Sequence, residues 1–384
     1  MPTNKNALPV VSGTEQGFSN GCHNITTVRQ KSKLSAADLA YFDNTLSRYM
    51  MLSAGQNEFR RRFPGLFGAR FSKCHAVAIG DLVSIMRSPE ARRAYYSQVE
   101  TCGNAVCCPV CAPRIMGFRA GEIRQAVHSW LGQGTENTCY MLTLTFSHSR
   151  TDALADMIAH LKTALLRFWG ERQLKKQINM SWCVGRITST EITYGANGWH
   201  PHQHILLFCR KTSFDFASLR RLWLASLQSS GLHGLSDIAL DLIEARSVDA
   251  YLTKIGLEMA LGNVKQGRGS SSFSPMQLLL EFASSGASWA ADRFFELFFA
   301  VRGLHSLCWS RGLKGYFGIN DVADLSIAAG SVQHDLERFV TFAGAGYRSL
   351  SPALRAMLRN YAAVNDRAQV LALLADCGIA EVPI

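Results

Sequence analysis

The sequence has no apolar run that approaches the roughly 20 residues required by a membrane-spanning helix. One candidate run, residues 294–301, is interrupted by Glu296 and flanked by Arg293 and Arg302. The first residues also lack the basic and then apolar order of a secretory signal peptide. No internal repeat is present. These absences argue against membrane-spanning and repeat architectures, and we expect a cytoplasmic protein.

Acidic residues are scarce relative to basic ones. The 29 Asp and Glu residues face 40 Lys and Arg residues, which gives a formal net charge of +11. Such an excess favours a polyanionic partner, above all nucleic acid. With 384 residues, 47% apolar and 18% charged, the chain has the composition of a globular protein of one large domain or two.

The eleven cysteines are odd in number, and four of them lie close together: Cys102, Cys107, Cys108 and Cys111. In a reducing compartment such clustering is typical of metal binding rather than of disulfides. Cys108 and Cys111 have the spacing of a zinc knuckle, and Cys102 or Cys107 supplies a third ligand. The fourth ligand stays open between Cys74, His75 and the use of both Cys102 and Cys107. The alternative to a structural zinc is a group of buried free thiols.

Three histidines alternate with other residues just before an apolar run at residues 205–208. In a β-strand alternate residues share one face, so His200, His202 and His204 lie side by side. Rings about 7 Å apart at the backbone can reach a common ion. A surface hairpin with a polar face is the simpler alternative.

A β-branched run containing Glu191 precedes the histidines, and the Asn197-Gly198 pair between them predicts a hairpin. If residues 197–198 form the two-residue loop, Glu191 pairs with His204. If residues 196–197 form it, Glu191 pairs with His202. Both registers keep Glu191 on the histidine face, because a shift of two residues preserves the face. The sequence therefore predicts two imidazoles and a carboxylate around one open position.

Helical spacing from about residue 248 to residue 261 places Tyr251, Lys254 and Glu258 on one stripe. A tyrosine can act as a covalent nucleophile when its phenolate is stabilised. A lysine one turn away can stabilise that phenolate or neutralise a bound phosphate. Alone, this pattern is also that of an ordinary amphipathic helix.

A TLTF strand at residues 143–146, the pair of His202 and His204, and a YLTK helix at residues 251–254 occur in that order. This resembles the three-motif arrangement of rolling-circle replication initiators, the Rep proteins of plasmids and single-stranded phages. They belong to the HUH endonuclease superfamily, named for its histidine–hydrophobic–histidine motif. Gln203 stands where the family usually has the hydrophobic residue. The resemblance spans roughly residues 100–320.

The resemblance implies an α+β fold with a ferredoxin-like HUH core, an antiparallel sheet with helices on it. A cysteine-rich zinc segment precedes this core, and the N- and C-terminal parts are helical. The predicted strand–helix–strand–strand–helix–strand order agrees. One long helix is predicted over residues 151–177, and two or three helices are predicted within residues 331–384. The expected regions are a disordered N-terminus (1–33), a helical and cysteine-rich zinc-binding region (34–134), the HUH catalytic core (135–265) and a helical C-terminal region (266–384).

The resemblance also implies a mechanism and partners. A divalent ion, Mg²⁺ or Mn²⁺, on His202, His204 and Glu191 polarises the scissile phosphate. Tyr251 attacks it, leaving a 5′-phosphotyrosine and a free 3′-hydroxyl, while Lys254 steadies the phenolate or the phosphate. Single-stranded or cruciform origin DNA and a host helicase and polymerase are the expected partners. A relaxase or transposase of the same superfamily and a non-catalytic, zinc-dependent DNA-binding protein are the alternatives.

Overall fold

The structure, a computed structural model, describes residues 36–66, 69–244, 272–305, 307–332 and 335–383. Tyr251, Lys254 and the helix predicted to carry them lie outside these ranges. Within the ranges, no helix is long and apolar enough to cross a membrane.

Helices in the described residues are α1 (Ala36–Arg62), α2 (Arg70–Lys73), α3 (Cys111–Gly132), α4 (Leu154–Gly170), α5 (Arg172–Met180), α6 (Phe216–Gln228), α7 (Pro275–Ser285), α8 (Ser288–Ala300), α9 (Leu313–Tyr316), α10 (Asp324–Ala329), α11 (Gly344–Ser349), α12 (Pro352–Ala363) and α13 (Arg367–Asp376). A 3-10 turn, Pro64–Leu66, follows α1. The strands are β1 (Leu82–Ser88), β2 (Arg93–Tyr96), β3 (Asn137–Leu144), β4 (Gly185–Gly195), β5 (Gly198–Arg210), β6 (Leu240–Glu244), β7 (Leu307–Trp309) and β8 (Glu337–Ala343).

The central sheet has the strand order β6-β3-β5-β4-β7, and all of its neighbours are antiparallel. Helices α4 and α5 connect β3 to β4, and α6 connects β5 to β6, which reproduces the predicted β-α-β-β-α-β order. The α+β fold with a ferredoxin-like core is therefore confirmed. The short strand β7 extends this core at the free edge of β4.

Helices cover both faces of the central sheet. On one face, Met141 of β3 and Leu206 of β5 form a buried cluster with Ile123 and Trp130 of α3. The alternate residues of the same strands join the larger core that includes α4 and α6. Because both faces are covered, β5 reads as a continuous apolar run rather than as an alternating one.

The predicted single helix over residues 151–177 is wrong. It is two helices, α4 and α5, separated at Glu171, whose backbone is extended with φ −64° and ψ 132°. Gly170, a weak helix former, precedes the break. The new helix α5 buries Leu174 and leaves its basic residues exposed.

The C-terminal region was predicted to be helical, but it also contributes a strand. Strand β8 pairs with β1, so that a second sheet has the order β2-β1-β8. Ser84 and Thr341 share a hydrogen bond of 2.7 Å inside this sheet. Helix α12 packs on α1 and β2. The start of the described chain and its end therefore share one core, while the predicted region boundaries stay predictions.

A candidate metal centre and a cysteine cluster

The hairpin between β4 and β5 sets the position of Glu191. Gly195 pairs with Gly198, so residues 196–197 form the loop, and Glu191 lies opposite His202. This is one of the two registers that the sequence allowed. Gly198 has φ +87°, and a Cβ there would lie 2.9 Å from Cα of Arg150. Glycine is required at this turn both for its backbone conformation and for the close approach of the neighbouring segment.

The three predicted ligands converge on one point. Oε2 of Glu191 lies 2.9 Å from Nε2 of His202 and 3.0 Å from Nε2 of His204. One donor atom from each residue lies within 4.8 Å of the others. Two imidazole nitrogens and a carboxylate oxygen form a donor set that suits a divalent ion and leaves further coordination positions open.

The other ring nitrogens of these histidines face oxygen atoms. Nδ1 of His204 lies 3.2 Å from Oγ1 of Thr143, in the TLTF strand. Nδ1 of His202 lies 3.4 Å from the carbonyl oxygen of His200. The Nε2 atoms carry the proton when they donate to Glu191, whereas with the proton on each Nδ1 the Nε2 lone pairs are free to bind an ion. The TLTF strand therefore supplies a contact that orients His204 of the histidine pair.

His200 lies on the same face but takes other partners. Nδ1 of His148 lies 3.1 Å from the carbonyl oxygen of Asn197, and its Nε2 lies 2.6 Å from Nδ1 of His200. Nε2 of His200 lies 3.4 Å from the hydroxyl of Thr145. These three hydrogen bonds can all form with both rings neutral, because each ring then donates from Nδ1 and accepts at Nε2. Burial, followed by the nearby His202 and His148, lowers the pKa of His200 to about 4.

Electrostatics favour an ionised carboxylate in this centre. Burial by itself would raise the pKa of Glu191, but hydrogen bonds from His202 and His204 outweigh it and hold the pKa well below its ordinary value. Glu191 is therefore ionised at neutral pH, and its negative charge suits a cation at this position.

Gln203, the departure from the family pattern, points to the opposite face of β5. Its side chain is buried and its Nε2 donates to Oγ1 of Thr190 at 2.6 Å. Its Oε1 finds no hydrogen-bond partner among the described residues. The substitution therefore changes the core behind the strand and leaves the ligand face as predicted.

The predicted nucleophile and its lysine, Tyr251 and Lys254, lie outside the described residues, as does Glu258. The last described residue before them is Glu244, which pairs with Tyr140 at one end of β6. Asp241 of the same strand pairs with Thr143, the residue that contacts His204.

The cysteine cluster contains Cys74, Cys102, Cys108 and Cys111, whose Sγ atoms lie within 4.8 Å of one another. Cys74 thus fills the position that the sequence left open, and Cys107, although buried, is not in the group. The distances from Sγ of Cys74 to those of Cys108 and Cys111 are 3.8 Å and 3.4 Å. Four thiolates at about 2.3 Å from a tetrahedral zinc lie about 3.8 Å apart, which matches this arrangement.

Backbone amides and a helix end support negative charge on these sulfurs. The amide of Cys102 donates to Sγ of Cys74 at 3.3 Å, and the amide of Cys111 donates to Sγ of Cys108 at 3.4 Å. Hydrogen bonds from Cys102, Cys108 and Cys74 lower the pKa of the Cys111 thiol well below its usual value. Cys111 also begins α3, where the helix dipole favours an anion.

Known proteins are similar to this chain in sequence. Residues 94–225 match the Rep_1 family, described as "Replication protein". The chain is 26% identical over 331 residues to "Protein rep" of Streptomyces lividans, covering 65% of this chain and 72% of that protein. It is 30% identical over 132 residues to "Neomycin resistance protein" of Streptomyces cyanogenus, covering 28% of this chain and 30% of that protein. No solved structure is significantly similar to it. The first two matches confirm the resemblance to replication proteins that the motifs indicated.

Proposed function

We propose that this protein starts rolling-circle replication by nicking one strand of origin DNA and later rejoining it through a tyrosine-linked intermediate. The observation that carries the proposal is the convergence of Glu191, His202 and His204 on one position. The replication-protein match over residues 94–225, which include these three residues, supports it. The excess of basic residues suits a DNA substrate.

Glu191, His202 and His204 would hold a divalent ion, and Mg²⁺ or Mn²⁺ suits nitrogen and oxygen ligands with open positions. When bound, the ion supplies Lewis-acid polarisation of a phosphate oxygen. Thr143 and the carbonyl of His200 keep the two imidazoles turned with Nε2 toward that position. The sheet, with α4 and α6 packed on its opposite face, holds the ligands in place before DNA arrives.

In the proposed step, the phenolate oxygen of Tyr251 attacks the scissile phosphorus and a bond forms between them. The bond from phosphorus to the 3′-oxygen breaks, and that oxygen takes a proton and becomes the free 3′-hydroxyl. Lys254 stabilises the phenolate or the phosphate. The reverse step rejoins the strand without an external energy source, because one phosphodiester is exchanged for another.

Chain length allows Tyr251 to reach the centre. Tyr251 is seven positions after Glu244, a span of up to about 25 Å when the chain is extended. Along β6, Asp241 is three residues from Glu244 and pairs with Thr143 beside the histidines, a distance of roughly 10 Å. A tyrosine outside the described residues can therefore lie near the phosphate that the ion holds.

The test uses single-stranded DNA that contains the origin, labelled on the 5′-phosphate side of the nick, with Mn²⁺. The wild type should form a covalent adduct that survives denaturation. Tyr251→Phe removes only the phenolic oxygen, so the adduct should disappear while DNA affinity persists. Tyr194→Phe is the matched control and should retain the adduct. An adduct in the Tyr251→Phe variant would identify another nucleophile, and its absence from the wild type would favour a DNA-binding role without catalysis.

The cysteine cluster, in this proposal, holds a structural Zn²⁺. Four thiolates close the coordination sphere, so the ion contributes to folding rather than to the nicking reaction. The ligands come from three segments: Cys74 after α2, Cys102 in the loop after β2, and Cys108 and Cys111 at the start of α3. The proposed partners are origin DNA and the host replication proteins. After the nicking step, a host helicase and polymerase would extend the strand from its free 3′-end.

A further inference from the structure

An exposed tryptophan marks a surface at the other end of the central sheet from the metal centre. Trp182, in the turn between α5 and β4, is 65% exposed. Met180 and Val184 on either side of it are 69% and 39% exposed, and exposed apolar side chains that cluster are often used for binding. The guanidinium of Arg210, the last residue of β5, lies 4.7 Å from the centre of the indole ring.

The backbone holds Trp182 in a conformation that few residues other than glycine accept. Its φ is +48°. It directly follows Ser181, the C-terminal cap of α5, and glycine is the most common residue at the position after such a cap. Its amide donates to the carbonyl of Asn179 at 3.1 Å, and the amide of Arg210 donates to the carbonyl of Ser181 at 2.9 Å. The turn is therefore fixed to the end of β5, and the indole is presented from a rigid base. A strained backbone that carries an exposed aromatic residue points to a function for that side chain.

The surroundings of Trp182 are positively charged. The exposed cations of α5 and of the end of β5 are Arg172, Lys175, Lys176, Arg210 and Lys211. The exposed acids on the neighbouring segments are Glu136, Glu171 and Asp215. Cations therefore outnumber acids around the indole, which fits a polyanion better than an acidic protein or a neutral surface.

We infer that Trp182, Arg210 and the lysines of α5 form a second DNA-binding surface that takes single-stranded DNA, with a base stacked on the indole and phosphates near the cations. Stacking requires an unpaired base, because the faces of bases in a duplex are covered. His202 and Arg210 are eight residues apart on β5, or roughly 26 Å, which is about eight base steps at 3.4 Å per step. Helix α3 covers this face of β5 between the two residues, so a strand that contacts both the metal centre and this surface passes around α3 and needs more than about eight base steps.

The experiment measures binding of fluorescein-labelled oligo(dT) of 30 nucleotides by anisotropy, without added divalent ions, so that it does not depend on nicking. Trp182→Leu should weaken binding by about tenfold, and Trp182→Phe should weaken it less because a π-face remains. The logarithm of the binding constant falls linearly with the logarithm of the salt concentration, and each phosphate contact on a single strand contributes about 0.7 to the steepness of that line. Removing Lys175 and Lys176 together should therefore make the slope shallower by about 1.4. Arg348→Ala, which removes an exposed cation elsewhere, should leave both the oligo(dT) affinity and its salt dependence unchanged.

Trp182→Gly separates binding from folding. Glycine accepts a φ of +48° without strain, so this variant should melt at the same or a higher temperature than the wild type while it binds oligo(dT) about tenfold more weakly. Wild-type affinity in Trp182→Gly and Trp182→Leu would overturn the inference. An equal loss of affinity for a 30-base-pair duplex would also overturn it, because a duplex offers no base for stacking.

A kinetic measurement links this surface to the proposed nicking reaction. On a long origin strand, Trp182→Leu should raise the half-saturating DNA concentration and leave the nicking rate at saturation unchanged. A lowered rate at saturation would place Trp182 in the reaction rather than in binding. Loss of nicking by Tyr251→Phe tests the proposed function alone, since it leaves oligo(dT) binding intact.

Discussion

Thr143 determines which nitrogen of His204 faces the metal position. Its Oγ1 is 3.2 Å from Nδ1 of His204, and it is the described side chain through which the first motif contacts a predicted ligand. We predict that Thr143→Val weakens Mn²⁺ binding and nicking about 10- to 100-fold, the usual cost of losing an orienting contact behind a metal ligand. Thr143→Ser keeps the hydroxyl and should restore most of both.

Calorimetric titration of Mn²⁺ and the Mn²⁺ concentration at half-maximal nicking measure this effect. Thr163→Val is the control, because the Thr163 hydroxyl bonds only to a carbonyl of its own helix. A Thr143→Val variant that binds Mn²⁺ as tightly as the wild type would show that His204 is oriented by other contacts.

The ligand set was accessible from the sequence because a strand repeats every two residues and a hairpin preserves its face. That rule placed Glu191 beside the histidines in either register, and the structure selected the pairing with His202. The role of Thr143 was missed, although the same alternation puts it on the ligand face of the next strand. Cys74 was one of several candidates, because its contact with Cys111 joins segments 37 positions apart.

At the scale of elements, the β4–β5 hairpin depends on one glycine. Gly198→Ala forces a side chain into a backbone with φ +87° and places Cβ 2.9 Å from Cα of Arg150. We predict a loss of about 1–3 kcal/mol in the free energy of unfolding, together with reduced nicking, because the hairpin carries Glu191 and His202. Gly132→Ala, at the end of α3, meets no atom within 4 Å and should change neither quantity. Urea unfolding and nicking rates test the pair, and a stable, active Gly198→Ala protein would contradict the requirement.

The cysteine cluster offers another matched pair. Cys74→Ala removes one of four converging sulfurs, whereas Cys107→Ala removes a neighbouring buried sulfur outside the group. We predict that Cys74→Ala loses zinc and much of its folded protein, since structural zinc contributes directly to folding. Cys107→Ala should retain zinc, and its stability should fall only by the cost of the small cavity that the substitution leaves. Elemental analysis of both proteins, purified under reducing conditions, decides the fourth ligand, and full zinc content in Cys74→Ala would exclude Cys74.

The helices and strands that the sequence predicted correctly are those whose patterns depend on residues close together in the chain. The strand and helix order of the core follows from short-range periodicity and turn residues, and the structure reproduces it. The break at Glu171 was missed because amphipathic spacing continues on both sides of it. Strand β8 was missed because its partner β1 lies some 250 residues earlier, and pairing over that separation leaves no local pattern.

At the scale of the whole molecule, the two ends of the described chain meet around the cysteine cluster. Strand β8 completes the sheet of β1, and α12 packs on α1. Tyr347 donates from its hydroxyl to the carbonyl of His75 at 2.9 Å, and Arg355 donates to the same carbonyl at 3.0 Å. His75 directly follows Cys74, so the C-terminal helices brace a residue of the cysteine cluster. We therefore expect the cysteine-rich segment and the C-terminal region to unfold together.

Arg355 tests this expectation. It is 7% exposed, and it also donates to the carbonyls of Ala76 and Tyr347. Arg355→Met keeps most of the side-chain volume but removes the hydrogen bonds that the buried guanidinium donates to these carbonyls, which costs about 1–3 kcal/mol. In urea, helix loss followed by circular dichroism and zinc release followed by a chelating dye should coincide in the wild type. Both should shift to lower urea together in Arg355→Met. Arg348→Met, which changes an exposed arginine of α11, should leave both transitions in place. Zinc release that stays at the wild-type midpoint while the helices unfold earlier would show that the two regions fold separately.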